Sequence, residues 1–115
     1  MKKPNIRCAL VCKKNQDIDI NQEIGIIIST DEIVNDYTLF QTDIECWELG
    51  ESLSMLFDSI KPIKAKLKKL IDLNIIKTYI DICIVHYDSF PAMIIEEDNM
   101  SFIRELKADI SIDMY

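Results

Sequence analysis

Residues 101–115 change from helical to strand periodicity within a few positions, and this change constrains the fold more than any other feature of the sequence. Apolar residues at 102, 103 and 106 fall on one face of a helix. From Ala108 onward apolar and polar residues alternate, as in a β-strand with one buried face. We expect the apolar set to face the core and the other set to face solvent: Ala108, Ile110, Ile112 and Met114 against Asp109, Ser111, Asp113 and Tyr115. Since chain ends fray unless they are tied down, this segment predicts a strand that the sheet requires.

Length and composition predict a single cytoplasmic domain over residues 1–115. The chain has 115 residues, of which 49% are hydrophobic, enough for one core. It contains only 2 Gly and 3 Pro, which argues against linkers and low-complexity sequence. No apolar run approaches the roughly 20 residues of a membrane span. The apolar segment 8–12 is shorter than the roughly 7–15 residues of a signal-peptide core, so we expect neither secretion nor membrane contact.

The 4 cysteines predict buried, reduced thiols rather than a metal or redox site. No CxxC pair occurs, so zinc and thioredoxin-like interpretations have no support. Cys8 and Cys12 share one strand face and lie about 13 Å apart at about 3.3 Å per residue, too far to bond to each other. Cysteine packs like a small apolar residue, and we expect it to do so here.

The charge of the chain disfavours nucleic acid and favours a basic partner. The formal net charge is −7, whereas nucleic-acid binding relies on clustered Lys and Arg. One cluster of basic residues opposes this balance: Lys61, Lys64, Lys66, Lys68 and Lys69. We interpret it as the solvated face of a helix, with a local anion-binding patch as the alternative.

Hydrophobic spacing predicts the elements of the first half of the chain. Residues 6–13 alternate with both faces largely apolar, which indicates a strand near the centre of a sheet. Residues 21–25 resemble one helical turn ended by Gly25. The isoleucine run 26–28 is either a strand or a packed loop. Residues 39–49 predict a second strand, ended by Gly50.

The second half of the chain predicts two helices, two strands and the closing helix–strand pair. Apolar residues between 52 and 73 follow helical spacing, and Pro62 interrupts them. We expect helices at about 52–60 and 62–72, with one kinked helix as the alternative. Residues 75–87 predict a long strand, and 92–95 a short strand paired antiparallel with it as a hairpin. The order predicts an α+β fold, a two-layer sandwich with helices on one face of a mostly antiparallel sheet.

Residues 46–115 combine several distinctive features: Trp47 at the end of a strand, Pro62 within the helical segment, a short segment after Pro91, and a Phe-Ile-x-x-Leu helix that begins at Phe102. Ile and Asp then alternate over 109–115 before a closing Tyr. In these features the segment resembles a bacterial family known as domain of unknown function 4279. Residues 19–30 are similar to the family's N-terminal segment but lack its proline. The resemblance implies an α+β domain and carries no particular activity. Such proteins resemble small domains found near bacterial toxin systems, so an immunity role is an expectation.

Catalytic groups are not evident in the sequence. His86 is the single histidine, and it is not accompanied by an HExxH, a DxD or a Cys/His cluster. Asp109 and Asp113 would lie about 13 Å apart on one strand, beyond the roughly 5–9.5 Å of catalytic carboxylate pairs. The 2 glycines are too few for a phosphate-binding loop. We therefore predict no catalytic residue, no cofactor and no metal.

Three functions remain open from the sequence. The first is a non-catalytic protein-binding module, such as an immunity protein that neutralises a basic toxin, with a surface formed by Asp81, Asp109, Asp113 and Tyr115. The second is a small-ligand or enzymatic domain with a pocket near His86, in which Asp81 and Cys83 take part. The third is a structural homo-oligomer built by sheet-edge pairing. The sequence does not determine the oligomeric state.

Overall fold

A five-stranded mixed sheet with helices on one side forms the fold, as seen in a computed structural model that describes residues 2–25, 28–31 and 36–115. The strands are β1 Asn5–Lys14, β2 Ser29–Asp31, β3 Asp36–Glu45, β4 Ile76–Val85 and β5 Asp109–Met114. The helices are α1 Ile20–Ile24, α2 Leu49–Ile60, α3 Lys64–Asp72 and α4 Glu97–Glu105, with a 3-10 turn over Lys61–Ile63. This architecture confirms the predicted α+β sandwich.

The strand order is β2-β3-β1-β4-β5, which places β1 at the centre as predicted. β1 pairs antiparallel with β3 and β4, β2 pairs antiparallel with β3, and β5 runs parallel to β4. One face of β1 is fully buried under the helices: Ile6, Cys8, Leu10 and Cys12. Isoleucines of β4 and leucines of α2 complete this core, so the strict alternation of β1 and β4 decides which side of the sheet the helices cover.

The predicted short helix and the predicted helix pair are both present. Asp19 caps α1 by accepting a hydrogen bond from the Gln22 N–H at 3.2 Å, and Gly25 ends it with φ +81°. Pro62 lies in the 3-10 turn between α2 and α3, where its missing N–H costs little. The lysine cluster is solvated, and two of its members form ion pairs with Asp58 and Glu105. Residues 26 and 27 of the isoleucine run lie outside the described residues.

The predicted strand over 39–49 is wrong at its end. β3 stops at Glu45, and α2 begins at Leu49, so Gly50 lies in the first helical turn instead of ending a strand. Leu49 is fully buried and continues the apolar stripe of α2 through Leu53. Burial of this extra residue favours helix over a longer strand.

The predicted hairpin over 92–95 is also wrong. Ala92 forms one isolated parallel bridge with Glu48 and does not pair with β4. Both edges of β4 are already occupied, by β1 and by β5. Parallel strands need a crossover connection, and the segment that contains α4 supplies it between β4 and β5.

The closing strand is paired as predicted, but its apolar face is not buried. The N–H of Tyr115 donates to the Ile84 carbonyl at 2.8 Å, which ties the segment to β4. Ile110, Ile112 and Met114 are nevertheless 39%, 43% and 45% exposed. β5 is the outermost strand of the sheet, whereas α2 packs on β1 and β3 and α3 packs on β4. The helix layer therefore stops short of this edge.

Candidate functional site

The side of the sheet opposite the helices carries the sequence-predicted surface, and we call it the open face. Within the described residues no helix covers it. Strand register places the following side chains on it: Asp36, Thr38, Gln41, Asp43 and Glu45 from β3; Arg7, Ala9, Val11 and Lys13 from β1; Lys77, Tyr79, Asp81, Cys83 and Val85 from β4; Asp109, Ser111, Asp113 and Tyr115 from β5 and the residue after it. Carboxylates outnumber basic groups on this surface, in keeping with the acidic net charge of the chain.

A cavity of about 290 Å³ lies at the centre of the open face. Small apolar side chains form its floor, because Ala9 and Val11 lie in the middle of β1. Its rim is polar and includes Arg7, Asp81 and Asp113. Small residues in a central strand flanked by larger residues make this surface concave. The cavity can therefore receive a side chain from another molecule.

Three of the four predicted surface residues meet in this cavity. Asp81, Asp113 and Tyr115 all line it. Asp113 pairs in register with Cys83, the β4 residue two positions after Asp81. The fourth, Asp109, lies further along β5, where its carboxylate is 3.5 Å from the Lys77 ammonium.

Two carboxylates, Asp81 and Asp113, and one basic group, Arg7, line the cavity, so its net charge favours binding of a positive charge. Burial raises the pKa of the Asp81 carboxyl, and the neighbouring carboxylates of Asp36 and Asp113 raise it further. Asp36 Oδ1 is buried and, among the described atoms, accepts no hydrogen bond; the Lys13 ammonium lies 3.7 Å away. A partly buried carboxylate with like-charged neighbours, such as Asp81, is stabilised by a cation that comes close to it.

Sequence reasoning missed Arg7 and Asp36. Arg7 alternates with Ala9 and Val11 on the second face of β1, a visible pattern that was not linked to the acidic residues of other strands. The position of Asp36 could not be predicted from the sequence, because its pairing with Lys13 depends on a register shift between β1 and β3 at Leu10 and Val11. Such an irregularity is set by packing and is not readable from alternation.

The residues of the alternative pocket are not brought together. Asp81 and Cys83 line the cavity of the open face, but His86 does not. Its ring packs against Phe90 with centroids 4.3 Å apart, and its backbone N–H donates to the Tyr115 carbonyl at 3.4 Å. This arrangement gives His86 a packing role at the end of β4.

Three buried cysteines, Cys8, Cys12 and Cys46, are poorly suited to nucleophilic chemistry. Burial raises the pKa of the Cys8 thiol to about 11 and that of the Cys12 thiol to about 12. Burial also raises the pKa of Cys46. A thiol must ionise to attack or to bind metal, so these groups act as apolar filling. In the described ranges, three or more His, Cys, Asp or Glu side chains do not converge into a metal-holding group.

The fold and the open face together define an α+β sandwich domain with an acidic, concave sheet surface. Comparison with protein-family models, with curated proteins and with solved structures found no match to this chain. The resemblance of residues 46–115 to domain of unknown function 4279 stays a prediction. Over the described residues, no helix has the length and apolar character required to cross a bilayer.

Proposed function

We propose that this protein is a non-catalytic binding module whose open face binds a basic protein partner. The observation that carries the proposal is the cavity of the open face, where the carboxylates of Asp81 and Asp113 outnumber the one basic lining residue, Arg7. Asp81 is also partly buried and has like-charged neighbours, an arrangement that opposes folding and is hard to explain by stability alone. A lysine or arginine of the partner would enter the cavity and neutralise Asp81 and Asp113.

The proposed partner is a basic toxin, which makes the protein an immunity protein that acts in the cytoplasm. Opposite charge on the two surfaces would speed encounter, and the rate would fall as salt screens the attraction. The net charge of −7 extends this attraction beyond the cavity itself. The four free cysteines accord with a reducing compartment.

The alternative, a small-ligand or enzymatic domain centred on His86, has weaker support. The cavity of about 290 Å³ lies near the lower end of the roughly 300–1,000 Å³ that ligand pockets occupy. His86 is outside it, and no acid–base partner of His86 is evident among the described residues. The cavity suits one partner side chain better than a whole substrate.

Affinity capture from the native host tests the proposal. The wild-type protein is compared with the double variant Asp81→Asn and Asp113→Asn, and with a control variant, Asp17→Asn and Glu51→Gln. Both variants change the net charge equally, but the control residues lie outside the open face. We expect a stoichiometric basic partner with the wild type and the control, and at least about tenfold weaker binding with the open-face variant. Equal binding by both variants, or recovery of no stoichiometric partner, would refute the proposal.

A further inference from the structure

The outer edge of β5 offers unpaired backbone groups. Tyr115 donates its N–H to the Ile84 carbonyl at 2.8 Å and accepts from the His86 N–H at 3.4 Å, so both of its backbone groups point toward β4. Backbone groups alternate in direction along a strand. Ile110, Ile112 and Met114 therefore direct their N–H and C=O groups outward, where no strand of the described residues pairs with them.

This edge carries charge, on Asp109 and Asp113, but none of the other protections that are usual at exposed strand edges. Natural edges are interrupted by proline, lysine or a bulge, whereas β5 has the sequence DISIDM and an unbroken register with β4. Its outward-bonding residues also have exposed apolar side chains, as described above. At the opposite edge, β2 covers only residues 36–38 of β3, and the rest of β3 is interrupted by the register shift opposite Leu10 and Val11. β5 has an unbroken register and exposed side chains throughout, so it is the better template for an added strand.

The acidic residues beside this edge indicate that an added strand would carry positive charge. Asp109 and Asp113 project from β5 onto the open face, and Asp81 lies on the neighbouring strand. We propose that β5 binds an extended segment of the basic partner by antiparallel strand addition. This inference rests on the proposed function and names the part of the partner that is recognised.

The register predicts the sequence pattern of that segment. Residues directly opposite each other across an antiparallel pair have Cβ atoms about 4.5–5.5 Å apart on the same face. Apolar residues of the partner would lie opposite Ile110, Ile112 and Met114. Basic residues would lie opposite Asp109 and Asp113, and therefore four positions apart. The predicted segment alternates apolar and polar residues, with Lys or Arg at two of the polar positions.

Charge argues against a second copy of this chain as the occupant. Each copy carries a net charge of −7. Antiparallel pairing of two β5 strands would bring Asp109 and Asp113 of both copies onto one face of a single short ladder, where like charges destabilise the pairing. A basic segment would instead place lysine or arginine side chains beside the carboxylates of Asp109 and Asp113.

The test uses a capped peptide of the sequence Val-Lys-Val-Thr-Val-Lys and a matched peptide in which both lysines are replaced by glutamate. Binding is followed by amide hydrogen exchange and amide chemical shifts in the full-length protein. We expect the lysine peptide to slow exchange at the outward N–H groups of Ile110, Ile112 and Met114, and the glutamate peptide to have no effect. Absence of protection at these three amides with millimolar lysine peptide would overturn the inference.

Ile112→Pro and Ile112→Val form a matched pair of variants. Proline at 112 removes an outward donor without removing a bond to β4, and proline is tolerated at such edge positions. We expect it to weaken peptide binding at least about tenfold, whereas valine keeps affinity within about twofold. Size-exclusion with light scattering compares the oligomeric state of both variants with that of the wild type and shows whether they remain compact.

The outcomes separate this inference from the proposed function. If Ile112→Pro binds normally while the Asp81→Asn and Asp113→Asn variant does not, the partner lies on the open face and strand addition is overturned, but the proposed function stands. If the wild type is a dimer that Ile112→Pro converts to a monomer, the occupant is a second copy and the inference is wrong. If the partner captured from the host binds all variants equally, both proposals fail.

Discussion

Thr78 offers the sharpest test of how the edge strand is held in place. It is fully buried near the start of β4, and its Oγ1 donates to the Leu106 carbonyl at the end of α4 at 2.8 Å. Thr78→Val keeps the shape but removes the donor, which leaves a buried carbonyl without this bond. An unsatisfied buried group costs about 1–3 kcal/mol. We expect the free energy of unfolding to fall by that amount, and the midpoint of thermal unfolding by roughly 3–6 °C per kcal/mol in a chain of this size.

Thr78→Ser is the control for this prediction, since it keeps the hydroxyl and loses one methyl group. Its cost should be about 1 kcal/mol from lost apolar burial. Urea unfolding followed by the fluorescence of Trp47 measures both variants. Leu106 leads through Lys107, whose φ is +50°, into β5, so Thr78→Val should also speed amide exchange in β5 more than in β1. A valine variant that is as stable as the wild type, or more stable than the serine variant, would refute this reasoning.

Three further predictions follow from the titratable groups and the backbone. Because the pKa of Asp81 is raised, its ionised form opposes folding, and Asp81→Asn should stabilise the protein at pH 7 in urea unfolding. The gain should vanish below the ordinary carboxyl pKa of about 3.9, and a gain that persists there would contradict the assignment. A thiol reagent at pH 8 should label half-buried Cys83 much faster than Cys8 or Cys12, as mass spectrometry can check. Gly25→Ala should cost about 1 kcal/mol through its φ of +81° alone, since the added methyl group makes only an ordinary contact, at 4.0 Å from the Asn21 carbonyl oxygen.

The closing segment shows how far alternation along a strand predicts structure. Its strand and the separation of its two faces could be read directly, because side chains alternate with period 2 in any β-strand. The burial of Ile110 and Ile112 could not be read, because alternation defines a face but not what covers it. Here the helices extend over β4 and no further, so an apolar face remains exposed.

Only part of the candidate site could be predicted from the sequence. Asp81, Asp113 and Tyr115 were predicted as one surface because each lies on the polar face of its own strand. Arg7 lies beside them only through strand pairing, which depends on contacts between residues distant in sequence, and Asp36 reaches the same face in the same way. The predicted hairpin over 92–95 failed for that reason too: local turn residues favoured it, but β5 competes for the same edge of β4.

The sequence alone determined the periodic features of this protein: the central strand, the helix pair around Pro62, the glycine that ends α1 and the acidic character of one sheet face. Each of these depends on residues within a few positions of one another, where backbone geometry sets the spacing. The tertiary structure decided the parallel addition of β5, the exposed edge and the cavity lined by Arg7, Asp81 and Asp113. These features depend on which strands pair, and pairing is settled by the burial of the whole core at once.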